Sequence, residues 1–138
     1  MHLTPDYIAG LVDGEGSFTF RINTNPSRRN RVEPRFYLKL KAEDKDLLDA
    51  LKDFFNCGKV YIQRDRRPRH SLCYRFEVWN KTDLIEIIIP FFKKNSLRSP
   101  SRIRDFNIFC KAMRIIARSD HRTEKGLNEL ISLKKMMH

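Results

Sequence analysis

Twice along the chain, apolar residues fall at every second position and the segment is then followed by a helical pattern. This alternation narrows the available folds more than any other feature. Phe18, Phe20 and Ile22 line one side of an extended segment and Thr19, Arg21 and Asn23 the other; later Phe36, Leu38 and Leu40 alternate with Arg35, Tyr37, Lys39 and Lys41. Period two marks a strand buried on one face. The basic stretch between them, Asn25-Pro26-Ser27 with Arg28, Arg29 and Arg31, predicts a hairpin turn. Residues 44–55 then place Leu47, Leu48, Leu51, Phe54 and Phe55 at helical spacing, with Asp44 as N-cap and Gly58 shortly beyond the end. The figure repeats: Val60 and Ile62 alternate with Lys59, Tyr61 and Gln63, and Leu72, Tyr74, Phe76 and Val78 alternate with Cys73, Arg75, Glu77 and Trp79 across the loop 64–70.

Helical signals frame these hairpins. Thr4 as N-cap, Pro5 at the first helical position and Asp6 near the positive end of the dipole start a helix that Gly14 and Gly16 stop. Lys81-Thr82-Asp83 restarts helix and Leu84 to Phe92 packs it; Phe106, Phe109, Cys110, Met113 and Ile116 predict an amphipathic helix after Ser99-Pro100-Ser101, and 123–137 a last short one. The order α-β-β-α-β-β-α with C-terminal helical additions predicts an α+β domain over residues 1–138, its antiparallel sheet covered by helices on one side.

The opposite, polar side of that sheet is free to bind. The chain carries 28 Lys+Arg against 17 Asp+Glu, a net charge of +11, which favours a polyanionic partner over a neutral ligand. Residues 1–17 hold no Lys or Arg and three acids (Asp6, Asp13, Glu15), whereas 21–41 hold seven basic residues against Glu33 alone. Four strands of one polarity predict contact with double-stranded DNA through Thr19, Arg21, Asn23, Arg35, Tyr37, Lys39, Lys41, Tyr61, Gln63, Arg75 and Glu77, whose types can read major-groove edges. The loop residues Arg28, Arg29, Arg31, Arg64, Arg66, Arg67 and Arg69 are expected to hold phosphates, as is His70. Eight strand residues at about 3.4 Å each reach roughly 8 base pairs, so two such units with a central gap between them cover about 20.

Other chemistries find little support. Three scattered cysteines (Cys57, Cys73, Cys110) without C-x-x-C spacing indicate reduced thiols rather than a disulfide framework or a zinc knuckle. The longest apolar run is broken by Glu86 and Pro90, so no membrane span and a soluble, intracellular protein with access to DNA are expected. No small-molecule cofactor is called for.

The segment Ile8-Ala9-Gly10-Leu11-Val12-Asp13-Gly14-Glu15-Gly16-Ser17 is the costly part of the first helix. Gly10 inside a helix gives up about 1 kcal/mol relative to alanine, which predicts a close backbone neighbour. Asp13 and Glu15 sit at the negative end of the helix dipole, where a cation would relieve the conflict. This segment resembles the LAGLIDADG motif of homing endonucleases, and the downstream order agrees with that family's saddle-like αββαββα core from Leu3 to about Ile116.

The resemblance implies a homodimer, since the motif occurs once. It implies that Ala9, Gly10 and Asp13 meet the same helix of a second subunit, that Glu15 is the acidic metal ligand with the Gly14 carbonyl beside it, and that Mg²⁺ serves hydrolysis of both strands at a long, pseudo-palindromic site. A basic residue before the penultimate helix assists, with Arg98 first and Arg102 second in the stretch 96–103. The family's polar residue after the second strand is replaced by Ala42, a gap that Lys41 or Glu43 could fill. That departure keeps open a second reading, a nucleic-acid-binding module on the same fold that does not cut, such as an intron maturase or a transcription regulator.

Overall fold

The computed structural model describes residues 1–23, 25, 32–63 and 72–137. Helix α1 (Pro5–Glu15) begins at Thr4, whose hydroxyl accepts from the Tyr7 N–H at 3.2 Å, and Pro5 occupies the first turn as expected. The helix runs one step past Gly14 and through Glu15, with Gly16 as C-cap donating to the Val12 carbonyl. The chain passes without a loop into β1 (Gly16–Ile22), followed by β2 (Val32–Lys41), α2 (Lys45–Phe55), β3 (Lys59–Gln63) and β4 (Cys73–Val78). The strands form one antiparallel sheet in the order β1-β2-β4-β3.

Register explains the two faces. Phe18 pairs with Phe36 and Phe36 with Val78; Leu38 pairs with Phe76 and Phe76 with Val60, so one face is apolar across the sheet. The other carries Ser17–Tyr37–Glu77–Lys59, Lys39–Arg75–Tyr61 and Lys41–Cys73–Gln63 in parallel rows. Pro34 is tolerated within β2 because β4 ends opposite Phe36, leaving only β1 alongside.

Helices cover the apolar face. Phe18 is buried among Phe36, Phe92, Phe106 and Phe109, with ring centroids 4.9, 5.4, 5.1 and 5.6 Å away. From α2 come Leu48, Leu51 and Phe55, and from α5 (Pro100–Ala117) come Phe106, Phe109, Cys110, Met113 and Ile116, each buried as its spacing predicts. Side chains of this size contribute about 1.5–3 kcal/mol each on burial.

Local chemistry departs from expectation at three places. Asp44 makes no side-chain capping bond; it closes a short 3-10 turn, 42–44, ahead of α2. The left-handed residue ending α2 is Asn56 (φ 52°), while Gly58 (φ 84°) serves the turn into β3, where a Cβ would lie 2.7 Å from Phe76. The helix after β4 is not uniform: α3 (Lys81–Asp83) widens into a π-helical stretch, Leu84–Ile88, before α4 (Ile89–Lys94). Pro90 lacks an N–H and would crowd the carbonyl four residues back; the Ile89 N–H reaching Leu84 across five residues opens the turn in front of it. Helix α6 (Glu124–Met136) starts at Thr123, whose hydroxyl accepts from the Gly126 N–H.

Candidate active site and nucleic-acid interface

The exposed end of α1 meets the sheet at Glu15, because the helix runs directly into β1. Two hard oxygen donors lie together there: the Glu15 carboxylate and the carbonyl of Gly14, one of the last-turn carbonyls that a helix leaves without an internal partner. Both residues are exposed. No group of three or more His, Cys, Asp or Glu that could hold a metal occurs among the described residues. The donor set suits a hard divalent cation, which takes oxygen ligands and leaves several positions to water and phosphate. One carboxylate and one carbonyl are an incomplete shell, so the remaining ligands must come from substrate, water or a second copy.

Asp13 has a different occupation. Its Oδ1 and Oδ2 accept from the Arg98 N–H at 3.0 and 3.1 Å, and Oδ1 also accepts from the Ser99 N–H at 3.0 Å. Ser99 is the N-cap position of α5 and makes no side-chain cap bond of its own. The carboxylate of one helix thus caps the start of another, and the positive end of α5 supplies the relief that the sequence assigned to a cation.

The two arginines separate. Arg98 contributes its backbone to Asp13, and its side chain is exposed on the wall of a 460 Å³ cleft with Asp6, Ala9, Gly10, Asp13, Lys94, Asn95 and Ser96. Arg102, a turn into α5, points its guanidinium back over α1, with Nη2 3.5 Å from the Gly14 carbonyl. Of the two, it is Arg102 whose side chain adjoins the Gly14 carbonyl. Its Nε is buried without a hydrogen-bond partner.

The cleft also gathers Ala9, Gly10 and Asp13, the residues assigned to a helix-helix contact. The close neighbour expected at Gly10 is not met among the described residues: an added Cβ at Gly10 or Gly14 would find nothing within 4 Å. Tyr7 joins them as an exposed large side chain on α1.

On the sheet, Arg21, Lys39 and Lys41 are exposed on the polar face as expected. Several other assigned residues are engaged within the protein itself. Glu77 is only 6 % exposed and is enclosed by Arg35, Arg75 and Tyr61. Tyr37 lies beneath the Arg75 guanidinium, 3.5 Å from its ring centre. Asn23 lies beyond β1 and its Oδ1 accepts from the Asn25 N–H at 3.0 Å, forming a turn. Gln63 Oε1 is buried without a partner. Burial, followed by the bond to Glu77, raises the Tyr61 phenol above its ordinary pKa. Arg28, Arg29, Arg31, Arg64, Arg66, Arg67, Arg69 and His70 lie outside the described residues.

Sequence reasoning missed Lys134 of α6. Its ammonium donates to Thr19 Oγ1 at 2.8 Å and stands 5.4 Å from the Phe20 ring centre, and burial lowers its pKa. Ala42 has no polar side chain to offer; its N–H donates to the Leu72 carbonyl at 2.9 Å. No two of the three cysteines form a disulfide, and burial pushes the Cys57 thiol up to about 11. No helix among the described residues is long and apolar enough to cross a membrane.

An α+β unit whose open sheet turns a basic, hydrogen-bonding face outward, with an acidic helix end at its margin, has the layout of a nucleic-acid-processing protein. Residues 8–113 match the LAGLIDADG endonuclease family, and the chain belongs to it. A probable intron-encoded DNA endonuclease of Mycosarcoma maydis is 38% identical over 97 residues, which cover 70% of this chain and 33% of the relative. The chain therefore spans about a third of the length of that relative. The solved homing endonuclease I-TnaI superposes with a TM-score of 0.87 at 28% identity, covering 100% of this chain and 90% of that one. I-SmaMI bound to cleaved DNA gives 0.87 at 29%, covering 98% of this chain and 44% of that one; another structure of I-SmaMI holds uncleaved DNA in the presence of calcium ions.

Proposed function

We propose that this chain is a site-specific DNA endonuclease, folded as one domain over residues 1–138 and acting as a homodimer with Mg²⁺ to break both strands of a long pseudo-palindromic target. The placement of Glu15 carries the reading: an exposed carboxylate at the junction of α1 with the sheet, beside a carbonyl left over from the helix. A probable intron-encoded DNA endonuclease among its relatives and I-SmaMI bound to cleaved DNA support the same reaction class.

Glu15 and the Gly14 carbonyl are the groups that would hold the cation. Bound there, a divalent ion supplies Lewis-acid polarisation of the phosphodiester and a more acidic water. Arg102 is placed to pair with a phosphate beside those oxygens, because its guanidinium already lies over Gly14. Lys39 and Lys41 lie at the end of β2 that pairs near Gly16, so their charges draw the backbone toward the same end of the sheet. A second copy docks through Ala9, Gly10 and the cleft beside Asp13, where two glycines leave room for a backbone to approach. Twofold contact would bring a second Glu15 to the site and complete its ligands.

The test uses duplexes selected from a randomised pool by the full chain. Glu15→Gln is expected to bind the selected duplex as the native protein does and to cut it on the order of a hundredfold more slowly or less with Mg²⁺. Cutting that survives in Glu15→Gln refutes the assignment; binding without cutting in both proteins establishes a recognition module instead. One copy per duplex in sedimentation refutes the homodimer.

A further inference from the structure

A single enclosed carboxylate gathers side chains from three strands on the polar face. Glu77 Oε1 lies 3.2 Å from Arg35 Nη1 and 3.6 Å from Arg75 Nη2, while Oε2 accepts from the Tyr61 hydroxyl. Arg75 is further held against the Tyr37 ring, and Arg35 Nη2 lies 3.6 Å from Glu33 Oε2. Register makes this cluster possible. Tyr37 pairs with Glu77, and the next polar row pairs Lys39, Arg75 and Tyr61.

The enclosure decides what Glu77 can do. With 6 % of its surface exposed and both oxygens engaged, it cannot accept from the edge of a base without breaking the cluster. The arginines are different. A guanidinium has five N–H donors in a rigid fork, and Glu77 engages only part of each. The forks are held where they stand by their contacts: Arg35 between Glu77 and Glu33, Arg75 between Glu77 and the Tyr37 ring. The side chain of Arg35 keeps 31% exposure and that of Arg75 13%, so the unengaged ends are what an incoming ligand meets. Glu77 and Glu33 also cancel the charge of the two arginines where they stand.

We propose that Glu77 is a positioning residue for DNA recognition: it aims Arg35 and Arg75 at base edges and, by neutralising them, keeps the centre of the sheet from gripping every duplex alike. This deepens the DNA-cleaving reading above and rests on it. The bases read by such forks are guanines, whose O6 and N7 take a bidentate guanidinium in the major groove.

The test compares base preference and salt dependence for the native chain, Glu77→Gln, Tyr61→Phe, Arg35→Ala and Arg75→Ala, using duplexes selected from a randomised pool. The arginine variants identify the positions each reads. Glu77→Gln is expected to lose about tenfold in discrimination at those same positions. It should also bind unselected duplex more tightly at low salt, with a log-log salt slope steeper by about 0.9, the value for one further phosphate neutralised. Tyr61→Phe, which removes one bond to Glu77 and no charge, should relax the same positions less and leave the slope alone. A general loss of folding would shift neither the base profile nor the slope. The proposal is overturned if both variants keep the native preference at the arginine positions, or if Glu77→Gln loses preference only at a position neither arginine reads, which would make Glu77 itself the reader. A native chain that selects no duplex removes the DNA reading, and this proposal falls with it.

Discussion

Replacing Asp13 with alanine removes the bridge between the end of α1 and the start of α5. Two backbone donors, the Arg98 and Ser99 N–H groups, lose a charged acceptor at 3.0–3.1 Å. A hydrogen bond to a charged group contributes about 1.5–3 kcal/mol; because both donors share one partly exposed carboxylate, the two count as one such bond, about 2 kcal/mol. Against that, deleting an acid from the negative end of α1 returns about 0.5 kcal/mol. The net cost is about 1.5 kcal/mol. Unfolding entropy for a chain of this size is about 0.29 kcal/mol/K, so Tm should fall by about 5 °C. Asp13→Asn keeps one acceptor oxygen and loses the charge; its fall should be about half as large. Thermal melts followed by circular dichroism measure both. If the alanine variant melts within about 1 °C of the native protein, or the asparagine variant falls as far as alanine, the capping account is wrong and Asp13 is held for another reason.

Two further perturbations test the core and the titration of a buried group. Phe18→Ala empties the centre of a cluster of four other rings and should cost about 3–5 kcal/mol in urea unfolding; a loss below about 1.5 kcal/mol would mean that the surrounding phenylalanines collapse into the space. His121 is buried, and burial, with Lys81 and Arg122 adding to it, lowers its folded pKa below the usual 6.5. The unfolded chain therefore takes up the proton first, so stability from this group is full above pH 6.5 and declines as pH falls through the lowered value. His121→Gln should flatten the acid side of the urea-midpoint profile; an unchanged slope would show that other groups set it.

The strands were legible because their apolar partners are neighbours in sequence: Phe18 and Phe20, or Phe36 and Leu38, declare a face without reference to anything distant. Helix α1 was legible from Thr4 and Pro5 for the same local reason. The burial of Glu77 was not legible because it depends on how β4 registers against β2 and β3, a relation that neither strand carries alone. The separation of Arg98 and Arg102 followed from where α5 starts: with Pro100 in the first turn, Arg98 falls outside the helix and Arg102 turns back toward Gly14. The widened turn before Pro90 hid inside a pattern that reads as continuous helix. Lys134 could not be placed from spacing at all, since its partner Thr19 is 115 residues away.

That last contact bears on how the molecule avoids unwanted association. Strand β1 is outermost in the sheet, and an outermost strand is a template onto which a stray chain can pair. An ammonium group anchored on Thr19 puts a partly buried charge beside that margin, and docking another strand there would have to displace it. Lys134 thus acts as a sentry at this border of the sheet.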